Sequence, residues 1–123
     1  MAITGPDFIA LQVRDLEKAA TFYEEVVGLA RAAFSPPHAV VFDTQPTFAV
    51  REPAPGVDLD SGQAGLGVAL WLHDPEAVAL HAGIVAAGGV IAQEPFEGPF
   101  GTTFVFQDLD GYLVTVHDRA TRG

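Results

Sequence analysis

Apolar and polar positions alternate with period two near the start of the chain. In FIALQV (8–13), Ile9, Leu11 and Val13 fall on one side and Phe8, Ala10 and Gln12 on the other, which predicts a strand with two unlike faces. The period then lengthens to that of a helix. Asp15 is an N-cap, Leu16, Ala20, Tyr23 and Val27 form one stripe, and Gly28 is the stop. The succession returns when Asp15 is aligned on Asp74. In LGVALWL (66–72), Val68, Leu70 and Leu72 share one face, and Gly67, Ala69 and Trp71 the other. Asp74 caps a second helix with Pro75 at its first position, where the missing N–H costs nothing. Ala77, Leu80, Ile84 and Ala87 make its apolar stripe, and Gly88-Gly89 ends it.

Three short β-like runs follow each helix: about 29–34, 38–43 (HAVVFD) and 47–52 (TFAVRE), then about 90–93, 102–107 (TTFVFQ) and 112–117 (YLVTVH). Segment 53–65 carries two Pro, three Gly and the acidic DLDSG, and reads as a linker. The chain is therefore expected to be α+β, with tandem βαβββ modules in one domain over 5–118. Its halves are about 7–52 and 66–118. One helix per half covers one sheet face, leaving the other faces to build a concave site.

Composition narrows the classes. A chain of 123 residues is one domain by length and can bury roughly two-thirds of its unfolded surface. Without Cys there is no disulfide framework, thiolate nucleophile or Cys zinc site. MAITGPDF has neither the basic start nor the apolar run of a secretory signal, and no apolar run reaches membrane-spanning length. A cytoplasmic protein with no membrane partner is expected. Sixteen acidic residues against six basic ones give a net charge of −10, which argues against nucleic acid. Such a field favours approach of a cationic ligand, although solubility alone also accounts for it.

The duplicated βαβββ pattern carries V-x-D-L-x-x-A-x-x-F-Y-x-x-x-x-G-L from Val13 to Leu29, and D-x-D-G at Asp108, Asp110 and Gly111. With these motifs the chain resembles the vicinal-oxygen-chelate superfamily, which includes glyoxalase I, extradiol dioxygenases and bleomycin-resistance proteins. The resemblance implies an open eight-stranded, barrel-like cup with helices outside. Enzymes of that superfamily hold a divalent metal with His and Glu side chains inside the cup. Carried over by motif, the four ligand positions fall on Phe8, on Ala49 or Val50, on Gly67 or Val68, and on Thr115. None is a good metal ligand, so no metal or other cofactor is expected.

The remaining chemistry is sparse. His38, His73 and His81 have structural explanations in a loop, a turn and a helix surface. His117 lies two residues beyond Thr115, on the same strand face as Thr115 and Leu113. Glu52, at the end of TFAVRE, is its expected counterpart in the first half. A Glu52–His117 pair is a candidate for acid–base work; structural pairing is the plainer alternative. No G-x-S-x-G elbow or Walker-type loop is present.

The cup-facing set expected from alternation is Phe8, Ala10 and Gln12, then Ala69 and Trp71, then Leu113, Thr115 and His117, with Phe48 a candidate from the fourth strand. Phe100 joins from a closing loop, EPFEGPFG (94–101). Phe104 and Phe106 are either cup-facing or packed under a helix. Trp71 is either core or a stacking wall for a planar or cationic ligand. Metal-free members of the superfamily with aromatic, acidic cups sequester basic antibiotics as homodimers. The resemblance thus implies a homodimeric small-molecule binding protein, sequestering a cationic or aromatic antibiotic such as bleomycin. The alternative is a glyoxalase- or dioxygenase-like lyase or isomerase with a relocated or absent metal.

Overall fold

Strand β1 (Phe8–Gln12) forms where the sequence alternates, and it pairs in parallel with β3 (Thr47–Arg51), Phe8 level with Thr47 and Gln12 with Arg51. Strand β2 (Ala39–Phe42) runs antiparallel on the other side of β3, giving the order β1-β3-β2. These elements come from a computed structural model that describes residues 2–121. By its internal contacts the chain divides into two compact units, parting between Leu59 and Asp60.

In the first unit, Asp15 caps α1 (Leu16–Thr21) by accepting the Lys18 N–H at 3.1 Å. The helix then widens into a π-helical stretch over Phe22–Val27, and Gly28 ends it at φ +95°. The wider turn lets the successive aromatics Phe22 and Tyr23 both be buried, in an edge-to-face pair at 5.5 Å. Tyr23 meets Phe48 at 5.1 Å, and Phe48 stacks on Phe42 at 5.8 Å. Phe48 is level with Ile9, on the helix side of the sheet, and only 4% exposed. It is core, not the cup residue expected. Its neighbour Ala49, level with Ala10, takes the open face instead.

The expected strand at 29–34 reduces to a single bridge between Arg31 and Phe42. Arg31 turns back to the helix, pairing with Glu17 at 2.8 Å and Glu24 at 3.0 Å, and its guanidinium holds the Glu17 carboxyl below the usual range. Two backbone bonds flank the bridge, from the Ala32 N–H to the Val41 carbonyl and from the Asp43 N–H to the Ala30 carbonyl, each at 2.8 Å. The first unit is thus βαββ.

The second unit contains β4 (Leu70–His73), α2 (Ala77–Ala86), β5 (Val90–Gly98), β6 (Gly101–Gln107) and β7 (Leu113–His117). Its order is β4-β7-β6-β5, with β4 parallel to β7 and the other neighbours antiparallel. Phe104, Phe106, Val114 and Val116 are fully buried with Ile84 of α2. Of the two placements open to Phe104 and Phe106, the core one is found; the His81 ring on α2 meets Phe104 at 5.3 Å.

Three expectations change here. Strand β4 begins at Leu70, so Leu66 and Val68 are exposed rather than packed. Helix α2 begins at Ala77, and Asp74, three residues before it, instead accepts the Glu76 N–H at 2.8 Å. Segment 94–101 is no loop: β5 runs to Gly98, and a two-residue turn at Pro99-Phe100 leads into β6. The α+β class holds, and the described residues form seven strands in two open sheets where eight strands were expected.

The D-x-D-G motif builds the β6–β7 turn. Buried Asp108 accepts the N–H groups of Asp110 and Tyr112, each at 2.9 Å, and Gly111 supplies φ +94°. Asp108→Ala leaves these donors without their partner and is expected to cost about 2–3 kcal/mol, read as a fall in urea midpoint. Asp108→Asn, which keeps one acceptor oxygen, is expected to cost less. No helix among the described residues is long and apolar enough to cross a membrane.

Candidate functional site

In the first unit the face of the sheet away from α1 forms a groove of about 310 Å³. Alternation puts Phe8 and Ala10 of β1 on it, and pairing brings Ala49 and Arg51 of β3 and Ala39 of β2 beside them. Three alanines keep the floor shallow in side chain. Pro36, Pro37 and His38 supply the wall, and Ser35 steadies it by accepting the Val41 N–H at 2.9 Å.

His38 has φ +67°, a left-handed conformation that costs a non-glycine residue strain. Glu52 holds it twice: its N–H donates to the His38 carbonyl at 3.0 Å, and its carboxylate meets His38 Nδ1 at 2.5 Å. The Arg51 Nε donates to the Glu52 carbonyl at 2.8 Å.

In the second unit an aromatic cluster forms on the face of the sheet opposite α2. Trp71 is level with Thr115 and His73 with His117. Trp71 lies 5.5 Å from His117 and 6.3 Å from Phe100, the latter edge-to-face. Phe100 lies 5.9 Å from His117, and His73 lies 5.7 Å from it. The backbone of Arg119 ties the group together. Its N–H donates to the Phe100 carbonyl at 3.0 Å, and its carbonyl accepts from His117 Nδ1 at 2.9 Å. A carbonyl can only accept, so Nδ1 carries the proton, leaving Nε2 of a neutral His117 as an acceptor. His117 is buried, whereas Trp71 is 45% and Phe100 36% exposed.

Gly101 allows the hairpin tip that presents Phe100. It sits at φ +86°, and the Asp118 carboxylate, which accepts the Thr102 N–H at 2.9 Å, occupies the space a Cβ would need.

Of the residues expected in the site, Trp71, Phe100, Thr115 and His117 share one face of the second unit, and Phe8 lines the first unit's groove. Gln12 does something else. Its side-chain carbonyl accepts the Ala54 N–H at 2.7 Å and tethers the segment after β3. Glu52 is not the counterpart of His117. The Val13 N–H donates to the Arg51 carbonyl at 2.9 Å, as the Asp74 N–H donates to the His117 carbonyl at 3.0 Å. Arg51 therefore corresponds to His117, Ala49 to Thr115, Ala10 to Trp71, and Phe8 to Ala69. Aligning Asp15 on Asp74 is out by two residues. Strand period is also two, so the side chains of β4 keep their expected faces. Arg51 and His38 were missed for want of this register; a basic residue two positions past Ala49 was the available signal.

By this register the third position implied by the resemblance moves from Gly67 or Val68 to Ala69, and the second falls on Ala49, so Phe8, Ala49, Ala69 and Thr115 stand at the four. A ring, two methyl groups and one hydroxyl do not fit a divalent ion that needs N or O donors at roughly 2.0–2.2 Å. Among the described residues no three His, Asp or Glu side chains gather.

Two βα-led sheet units, each with an open face, define a protein of the glyoxalase-like α+β class. The chain belongs to the Glyoxalase/Bleomycin resistance protein/Dioxygenase superfamily, whose family model matches residues 5–116. Its fold is similar to that of TnmS3, an antibiotic binding protein from Streptomyces sp. CB03234: TM-score 0.75, 24% identity, 98% of this chain and 99% of that one covered. A glyoxalase/dioxygenase from Nostoc punctiforme matches with TM-score 0.74 at 18% identity, covering 95% and 92%. A glyoxalase/bleomycin resistance protein from Albidiferax ferrireducens T118 gives 0.72 at 24%, covering 93% and 98%. No protein of curated function matches the chain.

Proposed function

We propose that the protein binds and sequesters an aromatic small molecule, of the kind antibiotics supply, without using a metal. The observation that carries this reading is the aromatic face of the second unit. Trp71 and Phe100 remain half-exposed, although a strand and a tight hairpin hold them in register over His117. An open apolar wall with a few directional polar groups is the usual form of a small-molecule site. His117 Nε2 and the Thr115 hydroxyl are the directional groups here. That TnmS3, of similar fold, is an antibiotic binding protein supports an antibiotic as the ligand. Homodimerisation, as in the metal-free members of the superfamily, belongs to the same reading. Acid–base catalysis by Glu52 and His117 draws no support from partners already made, Glu52 with His38 and His117 with Arg119.

A thermal-shift titration tests the proposal, using metal-free and copper-loaded bleomycin beside a panel of planar aromatic antibiotics. A saturable stabilisation should follow RT ln(1 + [L]/Kd), about 2.7 kcal/mol at a hundredfold excess over Kd. A flat response across the panel sinks the sequestration reading.

A further inference from the structure

Resting on that binding-protein reading, the geometry points to a specific polar requirement: we infer that the first unit's groove recognises an acidic oxygen, a carboxylate or phenolate, on an aromatic ligand. The overall charge of −10 favours a cation at long range. The groove is built for the opposite sign.

Arg51 lines it, and among the described residues no carboxylate pairs with this guanidinium; its Nε is held by the Glu52 carbonyl at 2.8 Å. The other terminal N–H groups are donors without an acid. The carboxylate nearest in sequence, Glu52, is engaged by His38 at 2.5 Å. Around this charge stand Phe8, Pro36 and Pro37, with alanines for a floor. A flat apolar body fits between these walls, and the donors fall to an oxygen at its edge.

Competition between local and global charge is decided by distance. Exposed charges more than about 8–10 Å away are largely screened at physiological salt, whereas an Arg–carboxylate contact is direct and charge-assisted. His38 has a second use here, because holding Glu52 prevents that carboxylate from neutralising Arg51. The strained backbone at φ +67° is consistent with a residue kept for its side chain.

Calorimetric titration of the full-length protein tests this with three probes of one shape: naphthalene-2-carboxylate, its neutral amide, and cationic 2-naphthylmethylamine. The carboxylate is expected to bind at least tenfold more tightly than the amide, and the amine weakest. Arg51→Gln removes the preference while leaving amide affinity in place. His38→Gly, which suits the positive φ and releases Glu52, reduces the preference. Equal binding of carboxylate and amide, or an unchanged preference in Arg51→Gln, overturns the inference but leaves an aromatic binding protein. Binding of the amine in preference to the carboxylate also overturns it. Failure of all three probes, while the antibiotic panel stabilises the protein, overturns the inference alone; failure of both sets removes the binding reading as well.

Discussion

Phe48→Ala is expected to destabilise the protein by about 3–5 kcal/mol, the range for deleting a fully packed aromatic ring. Phe48 is 4% exposed and touches both Tyr23 and Phe42, so truncation leaves a cavity bounded by two rigid rings. Against a total stability of roughly 5–15 kcal/mol this is a large fraction. Urea unfolding followed by circular dichroism reads it directly. Phe8→Ala provides the contrast. Phe8 is 53% exposed and is expected to cost under about 1 kcal/mol. Similar midpoints for the two variants would mean that Phe48 is not core.

Trp71→Ala is expected to do the reverse, leaving the fold standing and removing the ligand. A central aromatic anchor contributes about 2 kcal/mol or more to binding, roughly thirtyfold in Kd. The stability cost is expected to stay within about 1 kcal/mol, because the side chain is 45% exposed on the edge strand β4. Paired melting curves and titrations with any compound the panel identifies separate the two effects. Loss of fold in Trp71→Ala would make Trp71 a core residue. Unchanged affinity with an intact fold would move the ligand elsewhere.

These two residues show where the sequence is readable. Alternation assigns Trp71 to the face away from α2 correctly, even though the alignment of the two halves is displaced. A two-residue slip leaves a strand's faces unchanged. Phe48 fails for a related reason. TFAVR is apolar at three successive positions, Phe48, Ala49 and Val50, all buried in the central strand β3, so alternation carries no polar mark to choose a face. Only pairing with Ile9 decides it. Glu52 and Arg51 fail together. One residue of register separates them, and it determines which charge lines the groove.

Some expectations fail through local competition rather than register. Segment 29–34 looks like a strand, but only Arg31 forms a bridge, to Phe42, and the Arg31 side chain turns back to two carboxylates on the preceding helix. The stretch EPFEGPFG looks like a loop from its glycines and prolines. Gly98 and Gly101 instead flank a tight hairpin turn, with Asp118 filling the side-chain space that Gly101 leaves open.

The sequence by itself determined the family, the existence of the two helices and the α+β class. Each of these depends on residue identity or on a short period along the chain. Tertiary structure alone decided which apolar residues of β3 are core, that Gln12 is a tether, and that Arg51 rather than Glu52 faces the groove. Those outcomes depend on hydrogen-bond register between strands distant in sequence, and a shift of one residue reverses every face.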